Sequence, residues 1–200
     1  MLNALLLVMS AFSAPHLAMG ADETPAEVIT HLHNGLISTM KDAGSLGFTG
    51  RYARLQPLIT STLDLDYIAR FALLRFWAGL DHSQRADYLD IFRQLTVSTY
   101  ASRFDGYNGE RFRLVEEQSL PRERCLVRAA LIKGNGEPIE FEYILHQTAG
   151  HWRIINIIVD GVSNLAIKRT EYSAVMKDAG FETLLDKLRA KISLYAGSYF

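Results

Sequence analysis

A change of rhythm near residue 111 constrains this chain more than any other feature. Before it, apolar side chains recur every three or four positions. After it they alternate with polar ones, and past residue 163 the longer spacing returns. Helix side chains come back to one face about every 3.6 residues and strand side chains every second residue, so the two rhythms belong to different elements. Helices, then consecutive strands, then helices is the order of an α+β fold in which helices cover one antiparallel sheet. Two hundred residues suffice for one such domain with a real core. No linker or internal repeat divides the chain, so a single domain over residues 21–200 is expected.

The helical part opens with Thr24-Pro25-Ala26-Glu27, a capping box with proline at the first helical position. Val28, Leu32, Leu36 and Met40 give this helix an apolar stripe that ends near Gly44. A loop around Gly47 and Gly50 is expected to lead into a shorter helix over residues 51–55, whose far boundary Pro57 leaves open. Asp66 begins the next helix, with Tyr67, Phe71, Leu74 and Ala78 on one face and Phe76 and Trp77 close to it. Asp81-His82-Ser83-Gln84 is a second capping box. The helix it opens carries Tyr88, Phe92, Leu95 and Thr99 on one face, continued by Val97, Tyr100 and Phe104. Asn108-Gly109 then forces a turn.

Alternation begins at Arg111-Phe112-Arg113-Leu114-Val115 and resumes at Cys125, Val127, Ala129 and Leu131. Lys133-Gly134-Asn135-Gly136 reads as a hairpin turn, and Ile139, Phe141, Tyr143 and Leu145 alternate with Glu140 and Glu142 on the returning strand. Ala149-Gly150 turns into a fourth strand from Trp152. The expectation is a twisted antiparallel meander of four strands, or slightly more. About six helices cover it, the last two over 163–178 and 181–192, parted at Gly180. Nine aromatic residues fall between Tyr67 and Tyr107. Such clustering is what a packed core gives. It is also what an apolar cavity gives where helices and sheet do not meet completely.

Function classes can be removed on composition. Lys and Arg number 21 against 22 Asp and Glu, so net positive charge cannot drive nucleic-acid binding. A lone cysteine, Cys125, excludes an internal disulfide framework and any cysteine-built metal site, and its alternating strand makes it a small buried apolar residue. Residues 1–20, MLNALLLVMSAFSAPHLAMG, read as a signal peptide: an apolar run broken by Pro15, then small residues for cleavage after Gly20. Export without disulfides suits a bacterial periplasm.

Catalytic patterns are hard to find. Gly134-Asn135-Gly136 sits in a hairpin and leads into no helix that would aim amides at a phosphate. Gly161-Val162-Ser163 lacks the second glycine of a nucleophile elbow. His31 and His33 point to different sides of a helix, and His146 and His151 read as surface residues flanking a turn. Asp64 and Asp66 suit helix capping. Glu140 and Glu142 fall on a solvated strand face. Arg70, Arg75, Arg85, Arg93 and Arg103 punctuate the aromatic helices as polar-face residues, one or two of which would suit a pocket mouth facing an anionic head group. No metal, cofactor or catalytic residue is expected.

Several strings resemble one family. Met40-Lys41-Asp42-Ala43, Leu46-Gly47-Phe48-Thr49-Gly50-Arg51-Tyr52 and Ala69-Arg70-Phe71-Ala72-Leu73 are similar to the MlaC, or toluene-tolerance, family of periplasmic lipid-binding proteins. The run from Thr96 to Phe104 and Tyr107-Asn108-Gly109-Glu110 resemble its hopanoid-biosynthesis-associated branch, HpnM. The most specific stretch runs from Trp152-Arg153-Ile154-Ile155 through Asp160-Gly161-Val162-Ser163 to Arg169-Thr170-Glu171-Tyr172-Ser173. Asn156 stands where the family pattern has an aspartate.

The resemblance spans roughly residues 25–192 and implies helices packed on a twisted sheet around an apolar cavity. It implies carriage of phospholipid or hopanoid between membrane complexes. The expected partner is an inner-membrane transporter, of the ABC or the resistance-nodulation-division type. Periodicity and resemblance together nominate Phe71, Leu74, Trp77, Phe92, Tyr100, Phe104, Tyr143, Trp152, Val162 and Tyr172 as the lipid-binding lining. Two alternatives stand beside the carrier: a small isomerase-like enzyme acting on an apolar ligand, and a transporter adaptor that carries nothing.

Overall fold

The computed structural model describes residues 23–197, so the expected leader lies outside the described residues. Helices α1 (Pro25–Lys41), α2 (Ala43–Thr62), α3 (Leu65–Leu73) and α4 (His82–Arg103) come first, with a 3-10 turn at Leu74–Gly79 between α3 and α4. Strands β1 (Arg111–Leu120), β2 (Arg124–Ile132), β3 (Pro138–Thr148), β4 (His151–Val159) and β5 (Val162–Ser163) follow, and α5 (Asn164–Asp178) and α6 (Gly180–Gly197) close the chain. The α+β order read from the rhythm is the one observed, with a two-residue fifth strand added.

Both capping boxes form. The Thr24 hydroxyl accepts from Glu27 N, while the Glu27 carboxylate accepts from Thr24 N at 2.7 Å. Asp81 and Gln84 repeat the exchange at the start of α4. The stripe of α1 is buried from Val28 to Met40. Helix α2 departs from expectation, because the break is confined to Gly47 (φ 58°, ψ −173°) and the helix runs on through Gly50 and Pro57. Leu55 and Ile59 are fully buried on that stretch, and their burial outweighs the hydrogen bond that Pro57 cannot donate. Helices α1 and α2 meet at Gly35, where a Cβ would lie 2.3 Å from Leu58 Cδ2.

Helix α3 corrects two expectations. Asp64, not Asp66, is its cap, accepting from Tyr67 N at 2.9 Å, and Asp66 instead pairs with Arg93 at 2.6 Å. Its buried face is Leu65, Ile68, Ala69, Ala72 and Leu73 rather than the Tyr67–Phe71–Leu74 stripe. The two alanines leave room for the ring of Tyr88, whose hydroxyl donates to Ala69 O at 3.0 Å. The helix stops at Leu73 because Leu74 turns to φ 47°, ψ −115°.

All neighbouring strands pair antiparallel, in the order β1-β2-β3-β4-β5. The register sets Val127 opposite Tyr143, Ala129 opposite Phe141 and Tyr143 opposite Ile157, which places large rings of β3 against small or slim neighbours on one face. Across the opposite face, Arg128 of β2 reaches Glu116 of β1 at 2.6 Å and Glu142 of β3 at 2.9 Å. The edge strand β1 is mostly exposed, charged and bulged between Leu114 and Glu116, features that discourage pairing with another chain.

Helices α1, α2, α3 and α5 lie directly on the sheet, while α4 is held chiefly by α2, α3 and α6. Asp64 N donates to Ile154 O at 2.9 Å and thereby pins the α2–α3 junction to β4. The buried Arg51 guanidinium donates to Ala101 O at 2.8 Å and to Ala43 O at 3.2 Å, tying the start of α2 to the end of α4.

Candidate functional site

The nominated side chains fall into three sets. Trp77, Phe92 and Tyr172 surround Tyr88, at ring-centre distances of 6.3, 5.9 and 6.5 Å. Tyr88, Phe92 and Tyr172 are buried there among Ala69, Ala72 and Leu73. Tyr100 and Phe104 at the end of α4 and Tyr143 of β3 belong to a second set, with Tyr100 close enough to Tyr143 to act on its phenol. Phe71, Leu74 and Val162 are at the surface, 42%, 50% and 54% exposed. Trp152 stands apart from the three sets, half-buried on β4 against the core.

The second set is larger than the nomination. Tyr100 and Phe104 stack at 5.7 Å on α4, and Phe141 and Tyr143 stack at 5.8 Å on β3. Phe112 of β1 meets Phe141 edge-on at 6.0 Å and lies flat on the imidazole of His33 at 3.8 Å. Tyr100, Phe104, Phe112 and Phe141 are only half-buried, so this layer is not sealed. Phe112, Phe141 and His33 were missed in the sequence. Phe112 and Phe141 were readable as members of the strand faces that carry Leu114 and Tyr143, but Arg111 and Arg113 made the first resemble an ordinary exposed edge.

A cleft of about 710 Å³ opens beside this layer, between α1 and β1. Its walls include Thr30, Asn34, Ile37 and Ser38 of α1 and Arg111, Phe112 and Leu114 of β1, with Lys41 and Tyr107 at one end. The Lys41 ammonium sits 5.3 Å from the Tyr107 ring centre. His33 and Phe112 line the cleft and also belong to the aromatic layer, so the two spaces share a wall. None of the ten nominated residues lines the cleft itself.

Burial controls the ionisation of this region. His33 Nε2 and the Tyr143 hydroxyl share a 2.9 Å hydrogen bond, and burial pushes the imidazole from 6.5 down to about 3. The ring is therefore neutral at physiological pH and accepts or donates without carrying charge into the layer. Burial raises the phenols of Tyr100, Tyr143 and Tyr172, keeping them protonated. The Cys125 thiol is pushed up to about 11, chiefly by burial, which makes it a poor nucleophile. Lys168 of α5 has its ammonium 5.7 Å from the Phe92 ring centre; burial, then Lys191, lowers it to about 8 against the pull of Glu171.

The remaining titratable pairs have structural tasks. His146, expected at the surface, bonds Asp64 at 2.8 Å and meets Tyr67 edge-on at 4.9 Å, while His151 is exposed. Asn156 accepts from the Ser163 hydroxyl at 3.1 Å and so helps hold the start of α5. Among the described residues no group of three His, Cys, Asp or Glu side chains is placed to hold a metal ion. No helix among them is long and apolar enough to cross a membrane.

Comparison with known proteins places this geometry. The intermembrane phospholipid transport system binding protein MlaC of Haemophilus influenzae is 22% identical over 135 residues, 66% of this chain and 63% of that protein, so the chain spans under two thirds of that relative. The toluene tolerance protein ttg2D of Pseudomonas putida is 21% identical over 92% of this chain and 85% of its own length. The structure of a phospholipid-binding protein from Ralstonia solanacearum, in complex with a phospholipid, superposes with a TM-score of 0.77 at 19% identity, covering 88% of this chain and 99% of that one. That likeness shows a shared fold. The family described as MlaC protein matches residues 30–190, most of the described chain, and the protein belongs to the MlaC family.

Proposed function

We propose that the protein is a periplasmic lipid carrier that shelters phospholipid tails between α4 and the sheet. The observation that carries this reading is the aromatic layer of Tyr100, Phe104, Phe112 and Phe141, all half-buried, around the fully buried Tyr143, at the end of α4 and on strands β1 and β3. Trp152 lies farther along the sheet on β4, opposite Gln147 and packed against the core. Trp77, Phe92 and Tyr172 back the layer as part of the solid packing around Tyr88. The α1–β1 cleft is the mouth in this reading, with Lys41 and Arg111 available to a lipid phosphate. The family, and the phospholipid in the names of both the Haemophilus and the Ralstonia proteins, support the choice of cargo.

The physics of carriage asks for such a wall. At about 0.8 kcal/mol per methylene, exposing a chain of about sixteen carbons to water costs roughly 13 kcal/mol. A carrier has to replace the bilayer with comparable apolar surface without outbinding it, or delivery fails. Rings that stack in pairs and are part-open can separate around a tail, whereas a close-packed core cannot. Carriage also needs no nucleophile, metal or acid–base pair, which distinguishes it from the enzyme reading. Uptake from, or delivery to, an inner-membrane transporter completes the proposal, and the resemblance to the hopanoid-associated branch makes a hopanoid the second candidate cargo.

Mass spectrometry of organic extracts from freshly purified protein tests this reading. About one phospholipid or hopanoid per chain is the expected result, and its mass identifies the cargo. An extract empty of lipid, from protein that remains folded, would select the adaptor instead.

A further inference from the structure

The residues from Arg70 to Gly79, with Arg85 from α4, form a surface unlike the rest of the molecule. Phe71 and Leu74 are 42% and 50% exposed, one helical turn apart. Leu74 holds φ 47°, ψ −115°, a backbone conformation that strains a branched side chain, and this turn ends α3 with an apolar side chain left in solvent. The Trp77 ring has the Arg70 guanidinium 5.6 Å and the Arg85 guanidinium 5.4 Å from its centre, and Arg75 lies 5.0 Å from the centre of Phe76. Arg85 also donates to Ala78 O at 3.1 Å, while its buried Nε has no hydrogen-bond partner.

Charge on this surface is one-sided. No ion pair within 4.0 Å joins Arg70, Arg75 or Arg85 to a carboxylate among the described residues. Of the acidic groups close by in sequence, Asp64 caps α3 and bonds His146, Asp66 is held by Arg93 at 2.6 Å, Asp81 caps α4 and feels Arg85 only through space, and Asp87 is exposed and makes no ion pair with these arginines. Arginines stacked on aromatic rings beside projecting Phe and Leu side chains match the chemistry of a bilayer interface. The guanidinium groups meet lipid phosphates, the rings sit at head-group depth, and the aliphatic side chains reach the acyl boundary.

We propose that this Arg–aromatic turn is a docking surface for an anionic lipid bilayer, distinct from the chamber that holds the cargo. Each arginine near such a surface contributes attraction of about 1 kcal/mol at physiological ionic strength, and the attraction weakens as salt is raised. Docking of this kind is transient, which suits a protein that has to leave one membrane for another.

Vesicle flotation of the purified, lipid-loaded protein tests the proposal. It is expected to float with phosphatidylglycerol vesicles at low salt, to remain behind with phosphatidylcholine vesicles, and to be released from the former at high salt. Arg75→Glu should lower the partition constant onto the anionic vesicles about thirty-fold, the loss of one attraction and gain of one repulsion near the surface, while the lipid extracted per chain stays unchanged. Leu74→Gly removes the exposed side chain and relieves the backbone, so it should lower flotation while raising the thermal midpoint. Absence of flotation with anionic vesicles, equal flotation with both vesicle types, or unchanged flotation in both variants would overturn the docking surface. A parallel loss of extractable lipid in Arg75→Glu would show instead that the turn belongs to the cargo site.

Discussion

Two aromatic groups of similar composition sit within one fold and are packed in opposite ways. Around Tyr88, rings and small side chains fill the junction of α3, α4 and α5, with Tyr88 and Phe92 at or below 1% exposure. On α4 and β3, rings stack in pairs and all but Tyr143 stay half-buried, while Phe112 and His33 beside them line an open cleft. The difference comes from what the rings face. In the first group Ala69 and Ala72 let the helix backbones approach until the rings are enclosed. In the second, the rings stack along their own elements, Tyr100 on Phe104 and Phe141 on Tyr143, and large side chains stand where the first group has alanines. Aromatic content alone therefore does not mark a ligand site; the size of the residue opposite does.

The comparison is broken most severely at its solid end. Tyr88→Ala should cost about 3–5 kcal/mol by removing a large buried ring and its bond to Ala69, read as a lowered urea midpoint. Phe104→Ala in the open group should cost under about half of that, because the ring is already part-solvated. Equal losses at the two sites would erase the distinction. Phe104→Arg sharpens it further: extractable lipid is expected to fall at least about ten-fold while the fold persists, since a charge in an apolar wall disfavours a hydrocarbon tail.

Acid should weaken the molecule through His33. The imidazole takes up its proton near 6.5 when unfolded but only near 3 when folded. Between those values the unfolded chain binds the extra proton, so stability is full above pH 6.5 and falls as pH drops toward 3. The slope approaches about 1.4 kcal/mol per pH unit at most. Urea midpoints at pH 7 and pH 5 should differ less in His33→Gln than in the parent, and an unchanged difference would place the acid sensitivity elsewhere. Smallest is Asp64→Ala, expected to cost about 1 kcal/mol through the lost cap of α3 and the lost contact with His146.

Short-range signals locate most of the elements with little error. Thr24-Pro25-Ala26-Glu27, Asp81 to Gln84 and the Lys133–Gly136 turn all form as their short-range chemistry requires. Errors arose where a distant partner decides. Gly47 breaks α2 at one residue instead of opening a loop, because Leu55 and Ile59 are drawn into the core beyond it. Arg51 is buried only because two carbonyls from α2 and α4 converge on it. On α3 the aromatic stripe looked like the inner face, yet the alanines face inward because Tyr88 fills the space above them. The nomination of the lining shares that weakness: periodicity finds rings on one face, but not the residue waiting across the gap.

A crystal structure of the lipid-loaded protein tests the central proposal most directly. Acyl carbons are expected between the Tyr100–Phe104 pair and the Phe141–Tyr143 pair, with those pairs moved apart and the Tyr88–Phe92–Tyr172 packing unchanged. Tails threaded instead through the Tyr88 group, or lying wholly outside the space between α4 and β3, would contradict it.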